Sequence, residues 1–161
     1  MKELYEYRTE LIASSLAIVP QLRQALESFP ASDLHASPAS GLSSPHRTLS
    51  HLRDIQVQAL SARLAQILDE DDPYFDLFDD EAWQEDHYRA DEPWQAILDR
   101  LAGAQKQVLG DLDPHDASVW NRTGHHPWFG KRTFQWWVEL CYEYAETHLA
   151  QIRSALPGVE G

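Results

Sequence analysis

An all-α four-helix bundle, with a long crossover between its second and third helices, is the fold this sequence predicts. Three observations carry the expectation. Apolar residues recur every three to four positions in four separate stretches, as helices with one buried face require. Strand-like alternation is absent except for short bridges in one loop, and 161 residues make a single domain, 1–161, with one substantial core. Hydrophobic residues at 43%, with six Trp, six Tyr and five Phe, exclude a disordered chain.

The first helix spans Lys2 to about Phe29, where Leu4, Leu11, Ile12, Leu16, Val19, Leu22 and Leu26 keep the period. Pro20 removes one backbone donor, so a bend or break is expected near Val19. Pro30 to Ser44 is rich in Ser and Pro and reads as a surface connection that covers one end of a site. Ser44 is a good N-cap and Pro45 suits the first helical position, so a second helix starts there and runs to about Leu68. Its core stripe is Leu49, Leu52, Ala59, Leu60, Leu64 and Ile67, and His51 lies at the margin, about 100° from Leu52. The acidic run Asp69–Asp72 opposes the helix dipole and reads as a solvated helix end, since it lacks the ligand spacing and glycine of a calcium loop.

Tyr74 to Arg89 mixes aromatic and acidic residues without a period and forms the crossover, with a short helical turn at Asp80 to Gln84. The third helix follows Glu92-Pro93 and stops near Gly110. A loop through Trp120-Asn-Arg-Thr-Gly-His-His-Pro-Trp-Phe-Gly130 delivers the chain into the last helix. There Phe134, Trp137, Val138, Cys141, Ala145, Ile152 and Leu156 form the buried face, opposite Glu139, Glu143 and Glu146. Tyr144 and His148 sit on that face one turn apart, with polar tips that packing alone does not require.

Composition excludes several function classes. With 26 acidic against 13 basic residues the formal charge is −13, which repels phosphate backbones, so no nucleic-acid partner is expected. No apolar run approaches the ~20 residues of a bilayer span, and the start of the chain has no secretory pattern, so no membrane association and a cytoplasmic location are expected. The lone Cys141 is read as an inert small hydrophobe.

Thr48-Leu-Ser-His51-Leu-Arg-Asp on the second helix, Trp120…Arg122…Gly124-His-His-Pro…Gly130…Thr133 before the fourth, and Tyr144-Ala-Glu-Thr-His148-Leu-Ala-Gln-Ile152 on the fourth together resemble the DinB-like superfamily, the DinB/YfiT-type metalloenzyme fold. The resemblance spans essentially the whole chain. It implies a divalent metal, Zn or Ni, held by one histidine from the second helix and an H-x-x-x-H pair from the fourth. On this chain those positions are His51, Tyr144 and His148. Tyr144 replaces a family histidine, and a neutral phenol is a far poorer ligand than imidazole. His125, His126 or Asp54 are the other donors within sequence reach.

Two function classes follow. One is a metal-dependent thiol S-transferase-like enzyme acting on a small thiol or an electrophile, with a degenerate metal triad. The other is a metal-free bundle that binds a small ligand or a protein partner. Trp136 and Trp137 are read as core residues in preference to pocket walls, and Arg122 and Lys131 as paired or solvated charges in preference to carboxylate holders. Because six Trp exceed what one small core readily absorbs, a homodimer is expected.

Overall fold

The Ser44 hydroxyl accepts a hydrogen bond from the backbone N–H of Arg47, and Pro45 occupies the first turn, so the second helix starts where its cap signal places it. The computed structural model describes residues 1–158. Its elements are α1 (Lys2–Glu27), α2 (Pro45–Asp54), a π-helical segment Ile55–Leu60, α3 (Ser61–Asp69), α4 (Asp80–His87), α5 (Trp94–Leu109), α6 (Ala117–Trp120), the strands β1 (Thr123–His126) and β2 (Gly130–Thr133), and α7 (Phe134–Ser154). α2, the π segment and α3 are one continuous helix, which with α1, α5 and α7 makes the four-helix bundle. α4 lies in the expected crossover.

The core follows the predicted stripes. Leu22, Leu49, Leu98 and Ile152 meet in one lobe, and Ile67, Trp120, Phe134 and Trp137 in the other, all essentially inaccessible. Burial at this density supplies roughly 1.5–3 kcal/mol per large side chain and sets which helix faces point inward.

Three local expectations are corrected. The break expected near Val19 is absent, and α1 runs through Pro20 as one helix. The ring removes one N–H, while Ile18 and Leu22 on either side are held in the core against α5 and α7. The second helix is not uniformly α, because its π segment inserts one extra residue into a turn. The Asp69–Asp72 run is more than a solvated end. Asp72, at φ 50°, accepts hydrogen bonds from Thr123, from His125 Nε2 at 2.8 Å and from Lys131 Nζ at 3.5 Å. Arg122 meanwhile donates to the carbonyls of Ile67 and Glu70 at 2.7 and 2.6 Å, which satisfies the end of α3 and sets a cation where the dipole favours one.

These contacts fix the β-hairpin against α3. β1 and β2 pair antiparallel with His126 opposite Gly130, whose φ of +73° closes the turn. Thr133 then caps α7 by accepting from the N–H of Trp136. The tryptophans are largely absorbed within one chain. Trp120 and Trp137 are fully buried, Trp83, Trp94 and Trp136 are half-buried, and Trp128 alone of the six is exposed. The surplus on which the expected dimer rested is therefore small.

Candidate functional site

α2 and α7 bring His51 and His148 together in the bundle. His148 is buried, and His51 Nδ1 lies 3.2 Å from His148 Nε2. The outer nitrogen of each ring has its own partner. His148 Nδ1–H donates to the backbone carbonyl of Tyr144, one turn earlier, at 2.6 Å. His51 Nε2 lies 2.6 Å from Asp80 Oδ2, in the first turn of α4. The carbonyl partner fixes the proton of His148. With its Nδ1 protonated, His148 faces His51 with a lone pair, so a shared proton must come from His51 Nδ1. The other His51 nitrogen, Nε2, faces the Asp80 carboxyl group. Burial holds His148 below the ordinary imidazole value and proximity to His51 adds to this, against the pull of the Tyr144 carbonyl.

α4 reaches this position through a set of crossover contacts. Asp79 caps it by accepting from the N–H of Ala82. Gln84 Nε2 donates to Asp54 Oδ2 at 2.9 Å, Arg53 bridges Asp54 and Glu92 at 2.7 and 3.0 Å, and the buried His46 is held between the Tyr88 hydroxyl and the Glu92 carbonyl at 2.8 and 2.7 Å. Asp54 is thus fully engaged away from the histidine pair.

A cavity of about 160 Å³ opens beside the pair, between the π segment, the hairpin turn and α7. His51, Arg63, Asp80, His126 and Tyr144 contribute its polar groups, and the remaining wall is apolar. In an uninterrupted α-helix, side chains at positions 51 and 63 point about 120° apart. The extra residue in the Ile55–Leu60 segment takes back about 100°, which returns Arg63 to the face of His51. Arg63 is 9% exposed, stacks over Trp137 and Phe75 at 5.5 and 5.9 Å, and donates from Nη2 to the Asp76 carbonyl at 3.2 Å. Desolvation lowers its pKa from the ordinary guanidinium value.

The remaining sequence candidates divide. Tyr144 is 37% exposed at the cavity, with its ring nearly parallel to that of His148. Its backbone carbonyl, rather than its phenol, engages His148. His125 is turned away, bonded to Asp72 and stacked on Tyr74 at 4.3 Å. His126 is buried at the cavity, and its Nδ1 accepts from the N–H groups of Trp128 and Phe129 at 3.0 and 3.2 Å. Nε2 therefore carries its proton, so this ring is a donor and not a ready metal ligand. Burial and the Arg63 charge hold its pKa down. Trp137 is core as expected, and burial pushes the Cys141 thiol up to about 12.

A metal of the kind the resemblance implies fits this donor set poorly. Among the described residues no three His, Cys, Asp or Glu side chains converge as a metal site requires. The histidine nitrogens are correctly spaced, but the third position holds a phenol, and the cavity beside it carries an arginine and a protonated imidazole nitrogen. Asp80 and Arg63 were the site residues that sequence reasoning missed. Asp80 is a charge in an aperiodic crossover, and Arg63 lies on the wrong face for any strict α-helix. No helix of the described residues is long and apolar enough to cross a membrane.

Comparison with known proteins agrees with this architecture. No curated protein matches the chain. Among solved structures it is similar to YfiT from Bacillus subtilis, described as a probable metal-dependent hydrolase with an unusual four-helix bundle topology. That match has a TM-score of 0.81 and 22% identity, over 93% of this chain and 86% of that one, and shows the shared fold. The family model of the DinB superfamily matches residues 19–152, and the chain belongs to that superfamily.

Proposed function

We propose that this protein is a metal-independent small-molecule-binding bundle in which Asp80, His51 and His148 form a proton relay at the cavity wall. The observation that carries this reading is the 3.2 Å approach of His51 Nδ1 to His148 Nε2, with every outer nitrogen already committed. One proton between the rings satisfies all three groups. Asp80 is the acidic member lining the cavity, so a bound ligand exchanges a proton with the relay at that carboxylate. Nitrogen-15 NMR of the imidazoles tests this on protein purified without a His tag. The expected spectrum has His148 protonated at Nδ1 alone, His51 protonated at both nitrogens, and no change on adding one equivalent of Zn or Ni. Retained metal with both facing nitrogens deprotonated would refute the relay.

A second reading, a divalent-metal-dependent thiol S-transferase, draws on the same spacing. Two imidazole nitrogens on a tetrahedral ion with ~2.0–2.1 Å bonds lie about 3.3 Å apart, close to the 3.2 Å of this pair. The description of YfiT as metal-dependent favours it, and the absence of a third imidazole counts against it. A cytoplasmic homodimer stays part of the proposal, with the exposed Tyr74, Leu77 and Trp128 as the surface that would pair. Light scattering at tens of micromolar that gave a single 18.5 kDa chain would remove the dimer.

A further inference from the structure

Arg63 is, with His126 and Tyr144, a polar group of the cavity that the relay does not use, and its situation is unusual for this chain. It is a nine-tenths buried cation in a protein of formal charge −13, yet no carboxylate among the described residues pairs with it. A guanidinium carries five N–H donors. Only one contact to a protein acceptor is present, from Nη2 to the Asp76 carbonyl. Trp137 and Phe75 hold its plane by stacking and accept no second hydrogen bond in doing so. Nε and Nη1 are without a protein acceptor yet not fully buried, so the unmatched donors keep contact with the cavity, where solvent or a ligand completes the set.

The surroundings specify what would complete it. His126 adds a second donor, since its Nδ1 is occupied by the hairpin turn and its proton sits on Nε2. Asp80 is the only acid lining the cavity among the described residues, and its charge is matched by His51. Apart from Tyr144 the rest of the wall is largely apolar, including Leu60, Phe78, Phe129 and Leu140. The volume of about 160 Å³ is on the order of that which encloses a benzene ring in an apolar cavity.

We propose that the cavity binds a small organic monocarboxylate with an apolar or aromatic body, its carboxylate held by Arg63 and its body against the aromatic wall. The planar guanidinium offers a carboxylate two parallel N–H groups, which a lysine in the same place could not. The proposal rests on this cavity being the ligand site and is independent of whether the adjacent pair shares a proton or a metal.

Benzoate is the probe, with benzamide and benzylamine as isosteres that are neutral and cationic. Binding is followed by calorimetry and by the indole N–H shift of Trp128, which lines the cavity. Benzoate is expected to bind wild type at least tenfold more tightly than either isostere, and Arg63→Met and Arg63→Lys are each expected to weaken it at least tenfold. Leu140→Trp, which fills the cavity and leaves Arg63 in place, guards against a folding defect and should also abolish binding. Benzoate bound equally by a folded Arg63→Met protein, failure of folded wild type to bind at 10 mM, or phosphate and chloride binding as tightly as benzoate would each overturn the proposal. Benzoate binding with an imidazole spectrum that lacks the shared proton would sink the relay and leave this assignment standing.

Discussion

His148 donates its Nδ1 proton to the backbone carbonyl of Tyr144, while the Tyr144 phenol stands at the cavity with its ring 6.4 Å from the imidazole. The side chain at 144 is therefore not what orients His148. A helical i to i−4 carbonyl does that, whichever residue occupies the position.

Tyr144→His should accordingly change stability by no more than about 0.5 kcal/mol, as for a half-exposed substitution that breaks no bond. It also adds the third imidazole on the correct helix face, one turn before His148. Zn or Ni titration is expected to give stoichiometric binding in the variant and weak binding in wild type. Tight binding by wild type alone would restore the metal reading.

Asp80→Asn removes the charged acceptor from His51 Nε2. Both partners are about a third exposed, so solvent screens the pair and the expected loss is about 0.5–1 kcal/mol by urea denaturation. The diagnostic readout is spectroscopic, since the His51 Nε2 signal should shift once its charged acceptor is gone. A wild-type imidazole spectrum in the variant would mean that Asp80 plays no part in the relay.

Asp72 contributes to the acid limb. Hydrogen bonds from Thr123 and then His125 hold its carboxyl at about 2, against 3.8 when unperturbed. Its stabilising effect is therefore complete above about pH 4 and disappears as pH falls toward 2, because the unfolded carboxyl takes up its proton first. Thermal melts of wild type and Asp72→Asn should differ at pH 6 and converge near pH 2. A gap independent of pH would show that the Asp72 charge is irrelevant.

Gly124 lies buried in β1 where the hairpin meets α3. A Cβ there would come within 2.7 Å of Phe75 Cε2 and 3.1 Å of Ile67 Cγ1. Phe75 sits edge-on to Trp137 and cannot retreat freely. Gly124→Ala should cost about 1–3 kcal/mol by overpacking, measurable as a lower urea midpoint. An unchanged midpoint would mean that the hairpin shifts as a unit.

Much of this molecule is determined by local sequence. The periodic stripes of the four helices, the Ser44-Pro45 start, the stop at Gly110, the marginal position of His51 and the inward face of His148 depend on residues three to four positions apart, and such patterns are read directly from a chain. The tertiary structure decided what those faces meet. Asp80 arrives at His51 from 29 positions away, because Gln84, Arg53 and Tyr88 tie an aperiodic crossover to α2. Arg63 joins His51 through one π turn, which violates the 100° rule by which helix faces are assigned. The state of His126 depends on two backbone N–H groups of a hairpin turn. Each of these is a matter of register or long-range hydrogen bonding, which side-chain periodicity does not encode.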